Sequence, residues 1–342
     1  MRIGLLTGGG DAPGLNGIIE SVSRCLLAAG HQVVGSFDGF EGVFNGNFRD
    51  IRKEDLVGLH GAAGTFLGTS NRSRIEGREK EFIAGIGRME IQGLIAAGGD
   101  GTFSALSNLG VSVPIIGVPK TIDNDLHGTD ITFGFDTACA VVADAADSLR
   151  STADAHRRIM IVEAMGRTAG WIALGGGLAS YADVILVPER PFNRKALLNF
   201  LRGKQAEGRR GLVMVVSESA KAEGEDAEIA FTVKESFQQE RFGGIAQKLS
   251  RWIEAEIQWE SRAVVLGHLQ RSRSPTTTDR FLTAAVGIEA ARMAMEGDWN
   301  KAVVYKQGTV QRAPLSVIQA GARTIPSDHR WVKMCEALGI FI

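Results

Sequence analysis

The sequence of 342 residues contains few cysteines and no long apolar run. Cys25, Cys139 and Cys335 are an odd number of thiols at wide spacing, without a C-x-x-C pair. This pattern predicts reduced thiols and argues against a disulfide framework or a zinc site. No apolar stretch approaches the roughly 20 residues that cross a bilayer, and the first one, residues 3–6, is too short for a signal peptide. We therefore expect a cytoplasmic protein without a membrane segment.

The sequence also has almost no net charge, since 38 basic and 39 acidic residues give −1. General attraction to nucleic acid or to a membrane is therefore not expected. Two nucleotide-binding fingerprints are missing as well: there is no G-x-x-x-x-G-K-[ST], and Gly8, Gly10 and Gly14 do not fit G-x-G-x-x-G. The first absence excludes a P-loop. The second argues against a dinucleotide-binding oxidoreductase, although Asp38 ends the second predicted strand as a ribose-binding acid would.

Glycine is abundant instead, with 43 residues that cluster where predicted strands end. Short apolar runs, Gly-rich turns and helical stretches alternate along the chain, which predicts an α/β fold with parallel-rich sheets. The length favours two domains of ordinary size. Because ligands bind beyond the carboxyl ends of parallel strands, we expect the loops at these ends to carry the function.

Two Gly-rich loops are candidates for phosphate and metal binding. Residues 8–14 read Gly-Gly-Gly-Asp-Ala-Pro-Gly before a predicted helix, so their N–H groups either cradle an anion or form a plain tight turn. Residues 98–102 read Gly-Gly-Asp-Gly-Thr. Asp100 in this second loop either holds Mg²⁺, directly or through water, or caps the helix that follows.

The loop at residues 119–125, Pro-Lys-Thr-Ile-Asp-Asn-Asp, is the most informative segment. Its two carboxylates fit a phosphoryl-transfer site, where one accepts the proton of the attacking hydroxyl and the other orders the metal or the loop. Lys120 would neutralise phosphate charge. A solvated acidic turn is the alternative. Five dispersed basic residues suit phosphate binding as a set, although each alone is more often structural or on the surface: Arg158, Arg167, Arg262, His268 and Arg271.

Taken together, these motifs resemble the phosphofructokinase family. The resemblance covers nearly the whole chain and rests on residues 5–16 (LLTGGGDAPGLN), 64–68 (GTFLG), 98–102 (GGDGT), 119–125 (PKTIDND), 162–167 (VEAMGR) and 265–271 (VLGHLQR). It implies two Rossmann-like α/β domains with the active site in the cleft between them. It also implies a magnesium-dependent glycolytic enzyme, which transfers the γ-phosphoryl group of ATP to the 1-hydroxyl of fructose 6-phosphate and releases fructose 1,6-bisphosphate.

The resemblance assigns roles to individual residues. Asp123 is implied as the general base, with Thr121 and Asp125 assisting, Arg167 near the transferred phosphate and Lys120 neutralising phosphate charge. Asp100 is implied to handle Mg²⁺. The implied donor-binding residues are Gly10, Arg72, Gly99, Gly101 and Thr102, and the implied sugar-binding residues are Arg158, Met165, Gly166, Glu218, Arg262, His268 and Arg271.

Assembly and domain division follow from the same resemblance. Arg158 and Arg262 are implied to reach the active site of a neighbouring subunit, so we expect a homo-oligomer, either a dimer or a tetramer. Residues 1–137 plus 267–300 are expected to form the domain that binds the phosphoryl donor. Residues 138–266 plus 301–342 are expected to form the fructose 6-phosphate domain.

Two positions of the sequence disagree about the phosphoryl donor. The resemblance implies ATP from Gly101, where pyrophosphate users carry Asp, but pyrophosphate from Lys120. We give Gly101 more weight, because Asp would fill and repel the α-phosphate position whereas a flexible Lys can move aside. ATP is therefore the expected donor. A pyrophosphate-dependent fructose-6-phosphate 1-phosphotransferase is the alternative, and a non-catalytic sugar-phosphate-binding paralogue is a remote one.

Two further departures from the family concern the cleft. Asn71 stands where allosteric ATP-using members carry an Arg near the transferred phosphate, and Arg72 or Arg74 could substitute for it. Ser272 and Arg273 replace two glycines that follow the Gln-Arg pair of the family, and their bulk would change the shape of the loop that binds the 6-phosphate.

A last departure concerns regulation. Glu20 and Glu207 stand at basic positions of the effector site of allosteric bacterial members, whereas Arg24, Arg150 and Arg209 keep their charge. Two changes of sign in an anion site weaken the binding of phosphorylated effectors. We therefore expect little or no activation by ADP and weak inhibition by phosphoenolpyruvate.

Overall fold

The computed structural model describes residues 1–70, 74–107, 109, 113–232, 240–318 and 321–342. The strands are β1 (Arg2–Thr7), β2 (Gln32–Ser36), β3 (Phe48–Asp50), β4 (Gly93–Gly98), β5 (Ile115–Pro119), β6 (Ile159–Ala164), β7 (Val184–Leu186), β8 (Leu212–Ser217), β9 (Ile229–Thr232), β10 (Glu240–Phe242), β11 (Ser261–Val265), β12 (Lys301–Lys306) and β13 (Thr309–Pro314). The α-helices are α1 (Leu15–Ala28), α2 (Phe40–Asn45), α3 (Glu79–Met89), α4 (Asp100–Ser107), α5 (Phe135–His156), α6 (Trp171–Ala179), α7 (Arg194–Ala206), α8 (Ile245–Ile257), α9 (Leu269–Ser272), α10 (Thr277–Glu296) and α11 (Arg330–Ala337). Short 3₁₀ helices lie at Lys53–Leu56, Leu59–Gly61 and Leu315–Val317.

Two parallel-rich sheets form the framework. The larger has seven strands in the order β13-β12-β5-β4-β1-β2-β3, and only its edge strands β3 and β13 run antiparallel to their neighbours. The smaller has four parallel strands in the order β11-β6-β8-β7. Strands β9 and β10 form a separate antiparallel pair. The predicted α/β fold with parallel-rich sheets is therefore confirmed.

The central strands are apolar along their length because both faces of the sheets are covered. Strands β4 and β8 are buried at every position, which is typical of parallel strands enclosed on two sides. In β1, Ile3 and Leu5 belong to one apolar cluster with residues of α1 and α10, whereas Leu6 belongs to a second cluster with residues of α2 and α3. Each such buried side chain stabilises the fold by about 1.5–3 kcal/mol. The packing thus gives the loops at the strand ends a rigid base.

Helices α1 and α10 pack closely beside the first Gly-rich loop. A Cβ atom on Gly17 of α1 would lie 2.4 Å from Thr283 Oγ1, and one on Gly287 of α10 would lie 1.9 Å from Ser21 Oγ. Both distances are well inside van der Waals contact, so a larger residue at either position would force the neighbouring side chain to move, and glycine permits this close approach. Because α1 begins at Leu15, directly after the loop, the close packing also determines where the loop points.

One predicted boundary is wrong. Residues 301–314 were expected with the second domain, but they form β12 and β13 of the larger sheet. The physical reason is the apolar run of β12, whose Ala302, Val303 and Val304 are buried and extend the core beside β5. Farther along the chain, Phe341 bridges Val184 of β7 in the smaller sheet. The remaining boundaries stay predictions.

The two sheets present their carboxyl ends to a common cleft. The loops after β1, β4 and β5 of the larger sheet line one side, and the loops after β6, β8 and β11 of the smaller sheet line the other. This is where parallel sheets bind ligands. Within the described ranges, no helix combines the length and the apolar character that a membrane span requires.

Candidate active site

The cleft has a volume of about 680 Å³ and brings together most of the residues that the sequence singled out. Fourteen of these residues line it: Gly10, Gly99, Asp100, Gly101, Thr102, Lys120, Thr121, Asp123, Asp125, Met165, Arg167, Glu218, His268 and Arg271. They come from six loops that are far apart in the chain. Their roles remain predictions, but their common location is a property of the fold.

The two Gly-rich loops of the larger sheet are packed against each other. The Gly8 N–H donates to the carbonyl of Ala97 at 2.9 Å. A Cβ atom on Gly8 would lie 2.8 Å from Thr102 Oγ1, and one on Gly98 would lie 2.5 Å from the same oxygen. Glycine at both positions therefore lets Thr102, in the first turn of α4, sit over the end of β1. Backbone N–H groups and the start of a helix come together here, as an anion site requires.

Lys120 is buried between these loops. Its Nζ donates to the carbonyl oxygen of Gly10, and only 3% of the residue is exposed. Burial first, and then the positive charge of Arg271, lower the pKa of Lys120 to about 7, against the opposing effect of nearby carboxylates such as Asp123. Lys120 thus lines the cleft with its Nζ hydrogen-bonded to the first Gly-rich loop.

The carboxylate loop after β5 turns at Asn124, which has a φ of +52°. Asn tolerates this left-handed conformation better than most residues, and its Oδ1 accepts the N–H of Thr132 at 3.0 Å. The turn lets both flanking carboxylates line the cleft. Burial first, and then the charge of Asp123, raise the pKa of Asp125 to about 7. Near neutral pH, Asp125 thus takes up a proton more readily than a free aspartate does.

On the opposite side, Glu218 organises the turn after β6. Its carboxylate accepts the backbone N–H of Arg167 at 2.8 Å and that of Gly166 at 3.3 Å. Burial raises the pKa of Glu218 to about 7, although these two hydrogen bonds act against the shift. The Met165 N–H donates to Gln270 Oε1 at 2.9 Å, which ties this turn to the segment after β11. Gly166 therefore lies in the turn beside the cleft, between Met165 and Arg167, but does not itself line the cleft.

The segment after β11 reaches across to the larger sheet. Arg271 Nη1 donates to the carbonyl of Asp11, in the first Gly-rich loop, at 2.6 Å. The next residues turn away: Arg273 pairs with Asp144 on α5, and both side chains are exposed. Ser272 Oγ donates to the carbonyl of Leu269 at 3.3 Å. The bulk that replaces two glycines thus points out of the cleft, so the expected change in the shape of the 6-phosphate loop does not arise from these side chains.

Two predicted site residues of the described part of the chain, Arg158 and Arg262, lie away from the cleft. Arg158 precedes β6 and Arg262 lies near the start of β11, so both are at the amino edge of the smaller sheet. They converge on Glu260, at 3.2 Å from Arg158 and 2.5 Å from Arg262. Arg72, like the neighbouring Asn71, lies outside the described residues.

Several cleft residues carry no sequence signal. Phe40, Ile75 and Ala105 add apolar surface to the side formed by the larger sheet, and Arg74 lines the cleft nearby. On the other side, the β9–β10 pair contributes Phe242. An isolated apolar residue next to a loop looks like any core residue in a sequence. We find no pattern that would have identified the four apolar positions in advance, whereas Arg74 had been named from sequence as a substitute for the family Arg at position 71.

The residues discussed for regulation lie elsewhere and are neutralised within the chain. Glu20 is buried and accepts from Arg24 at 2.8 Å and from His60 Nδ1 at 2.9 Å. Glu207 pairs with Lys204 at 3.0 Å on the surface. Of the three arginines that follow the family pattern, Arg24 pairs with Glu20, and Arg150 and Arg209 both pair with Asp183, at 3.7 Å and 2.8 Å.

Comparisons with known proteins agree with this geometry. A family model described as phosphofructokinase matches residues 2–294. The chain is 39% identical over 345 residues to ATP-dependent 6-phosphofructokinase 2 of Streptomyces coelicolor, covering 100% of both chains. It is 40% identical over 333 residues to pyrophosphate–fructose 6-phosphate 1-phosphotransferase of Amycolatopsis methanolica, covering 96% of this chain and 97% of that one. In fold it resembles the solved pyrophosphate-dependent phosphofructokinase of Marinobacter aquaeolei, with a TM-score of 0.83 at 23% identity, covering 100% of this chain and 88% of that one.

Proposed function

Because the chain belongs to the phosphofructokinase family, we propose that it is an ATP-dependent 6-phosphofructokinase. It transfers the γ-phosphoryl group of ATP to the 1-hydroxyl of fructose 6-phosphate and releases fructose 1,6-bisphosphate and ADP. The observation that carries this proposal is the cleft itself, which sets the carboxylate loop beside the Gly-rich loops and opposite the turn that holds Arg167 and Glu218. The same arrangement speaks against a non-catalytic paralogue, since a protein that only binds sugar phosphate has no need of Asp123 at this point.

The geometry supports a direct transfer. Asp123 accepts the proton of the 1-hydroxyl while that oxygen bonds to the γ-phosphorus and the bond from phosphorus to the bridging oxygen of ADP breaks. Thr121 Oγ1 accepts the Asp123 N–H at 3.1 Å and so orients the base. Arg167 stabilises the charge of the transferred group. Because burial raises the pKa of Asp125 to about 7, this group adds less negative charge next to the transferred group than a free aspartate would.

The apolar side of the cleft favours ATP over pyrophosphate. Phe40, Ile75 and Ala105 line the half that also contains the Gly-rich loops, where they suit the base of a nucleotide. Pyrophosphate has no group that would use this surface. Lys120 is turned to the carbonyl of Gly10, and Gly101 leaves the α-phosphate position free of a carboxylate. Pyrophosphate stays the second candidate, because a relative of that name is 40% identical.

The residues present fit a magnesium ion that binds with the donor. Among the described residues, no three Asp, Glu, His or Cys side chains are grouped to hold a metal by themselves. Asp100 is exposed at the start of α4 and lines the cleft. One carboxylate together with donor phosphates is the usual way that proteins bind Mg²⁺. We propose that Asp100 holds Mg²⁺ in this way and that the ion neutralises phosphate charge when bound.

We propose that two copies of the chain supply the basic residues that bind the sugar phosphate. His268 and Arg271 line the cleft on the side of the smaller sheet, and we assign them to the 6-phosphate, with Met165, Gly166 and Glu218 at the sugar. Arg158 and Arg262 complete this site from a second copy of the chain, because they face away from their own cleft. The working protein is thus a homo-oligomer, dimer or tetramer, and we place it in the cytoplasm as a glycolytic enzyme.

The product identifies the reaction. The protein is incubated with ATP, Mg²⁺ and fructose 6-phosphate, and the phosphorus NMR spectrum is followed. We expect a new phosphomonoester signal of fructose 1,6-bisphosphate to grow in step with ADP. In the control without the sugar, ATP should remain. Hydrolysis of ATP at the same rate without the sugar, or transfer to another hydroxyl, would refute the proposal.

A further inference from the structure

A segment near the C-terminus supports the carboxylate loop from outside the motifs. Residues 321–325 run beside the loop, and Ala322 forms an antiparallel bridge with Leu126. The first two residues of the segment line the cleft. The segment lies beyond residues 2–294, which the family model matches. It is therefore a feature of this chain that neither the motifs nor the family match describe.

Arg323 makes the main contacts of this segment. Its backbone N–H donates to the carbonyl of Asp125 at 2.6 Å. Its Nη2 donates to the carbonyls of Asn124 at 2.6 Å and Asp130 at 3.2 Å. One residue thus binds two consecutive carbonyls of the carboxylate loop. The first belongs to Asn124, whose left-handed backbone is costly for a residue with a side chain and persists only where neighbouring contacts hold it.

Arg323 is held in turn by α6, which packs on the smaller sheet. Its guanidinium carbon lies 4.5 Å from the centre of the Trp171 ring, and Trp171 Nε1 donates to the Arg323 carbonyl at 2.8 Å. Two residues on, the Ile325 N–H donates to Glu189 Oε1 at 3.1 Å. Arg323 therefore links the carboxylate loop of the larger sheet to elements of the smaller one. A planar guanidinium can stack and donate at the same time, which an ammonium group cannot.

We propose that Arg323 is a positioning residue for phosphoryl transfer, because it holds the Asn124 and Asp125 carbonyls so that Asp123 meets the 1-hydroxyl in reactive geometry. This inference rests on the proposed function. Arg323 is not among the residues that line the cleft, so it acts through the loop and not on the substrates. A misplacement of about 1 Å at the reacting groups costs on the order of 10²-fold in rate, which sets the size of the expected effect.

Three variants test this role. In Arg323→Met, kcat should fall about 30- to 100-fold, while KM for ATP and for fructose 6-phosphate stays within about twofold. Arg323→Lys should lose about tenfold, since an ammonium group can reach one carbonyl but cannot also stack on Trp171. Arg330→Met is the matched control, because Arg330 is exposed at the start of α11. It should behave like the parent protein.

The measurement separates positioning from loss of folded protein. Sites that bind fructose 6-phosphate are counted by calorimetry, and kcat is expressed per site, so unfolded protein does not contribute. A kcat per site within twofold of the parent in Arg323→Met, or an equal fall in Arg330→Met, would overturn the proposal. If Arg323→Met does not fold, Arg323→Lys decides in the same way. If the parent protein itself fails to phosphorylate fructose 6-phosphate with either donor, the proposed function fails instead.

Discussion

The two edges of the smaller sheet use arginine in different ways. Beyond the carboxyl edge, Arg167 and Arg271 line the cleft, where Arg271 reaches the carbonyl of Asp11. At the amino edge, Arg158 and Arg262 share Glu260 and do not contribute to their own cleft. The polarity of parallel strands decides which edge meets the ligand. Residues of one type therefore have two different roles, one in their own cleft and one, as we propose, in a neighbouring copy.

The largest effect is expected inside the cleft, at the base. Asp123→Ser should lower kcat by about 10³-fold, because the proton of the 1-hydroxyl loses its acceptor in the transition state. Calorimetry should find fructose 6-phosphate bound with an affinity within about threefold of the parent. Asp144→Ser, at an exposed position on α5, is the control. A kcat of Asp123→Ser close to that of the parent protein would show that Asp123 is not the general base.

The donor side of the cleft should respond next. Gly101→Asp places a carboxylate near the α-phosphate, and repulsion at close range predicts a fall of about 10²-fold in kcat/KM for ATP. Activity with pyrophosphate should not fall in parallel, since this donor has no α-phosphate attached to a nucleoside. Steady-state assays give kcat/KM for each donor, and the ratio of the two values measures donor preference. An equal loss with both would mean that Gly101 matters for folding and not for donor choice.

Substitution at the amino edge should change binding more than turnover. Arg262→Met should raise KM for fructose 6-phosphate about 10- to 100-fold, as expected for a lost charged hydrogen bond, with kcat within about threefold. Arg251→Met, an exposed change on α8, is the control.

Mixing subunits tests whether this edge serves another copy. Oligomers assembled from Arg262→Met and Asp123→Ser chains should regain activity at low fructose 6-phosphate, because one kind of site then has both residues intact. If mixing restores nothing and KM in Arg262→Met is unchanged, the amino edge has no part in catalysis.

Stability should depend on pH through the cleft-facing carboxyls. Burial raises the pKa of Asp125 and of Glu218 to about 7, whereas unfolded carboxyls titrate near about 4. Between these values the folded state binds more protons than the unfolded chain, so these groups make the free energy of unfolding fall as pH rises from about 4 to 7. In Asp125→Asn, the free energy of unfolding should decrease less over this pH range than in the parent protein. Urea unfolding of both proteins at several pH values gives the free energy of unfolding as a function of pH. The same pH dependence in both proteins would contradict the expectation.

The smallest effect is expected where arginine faces solvent. Arg273→Gly removes the ion pair with Asp144, both of whose side chains are exposed. Such pairs contribute at most about 1 kcal/mol to the free energy of unfolding. Activity should stay within about twofold of the parent. A large rise in KM for fructose 6-phosphate would show that Arg273 faces the sugar phosphate after all.

Sequence was sufficient for the parts of the site that are local in the chain. Residues 98–102 and 119–125 follow apolar strands directly, so strand polarity alone predicts that Asp100 and Asp123 face the same cleft. The α/β fold followed from the same alternation of strands and helices. The family resemblance added the residues after β6, β8 and β11, which were too dispersed to be grouped by spacing.

The parts that sequence could not predict depend on contacts between distant segments. The burial of Lys120 and its hydrogen bond to Gly10, in the loop after β1, were not predicted from sequence. The strands at residues 301–314 were assigned to the wrong domain, because their apolar run fits either sheet. Arg323 carries no motif at all, and its contacts with Asn124 and Trp171 exist only in the folded chain.

The most direct test of the whole account is a comparison of donors. Initial velocities are measured with fructose 6-phosphate and Mg²⁺, with ATP and pyrophosphate in parallel at matched concentrations. We predict turnover with ATP and little or none with pyrophosphate, because the apolar side of the cleft and Gly101 suit a nucleotide while Lys120 is held by the carbonyl of Gly10. Turnover with pyrophosphate alone would contradict this account of the donor site, and absence of turnover with both would contradict the proposed function.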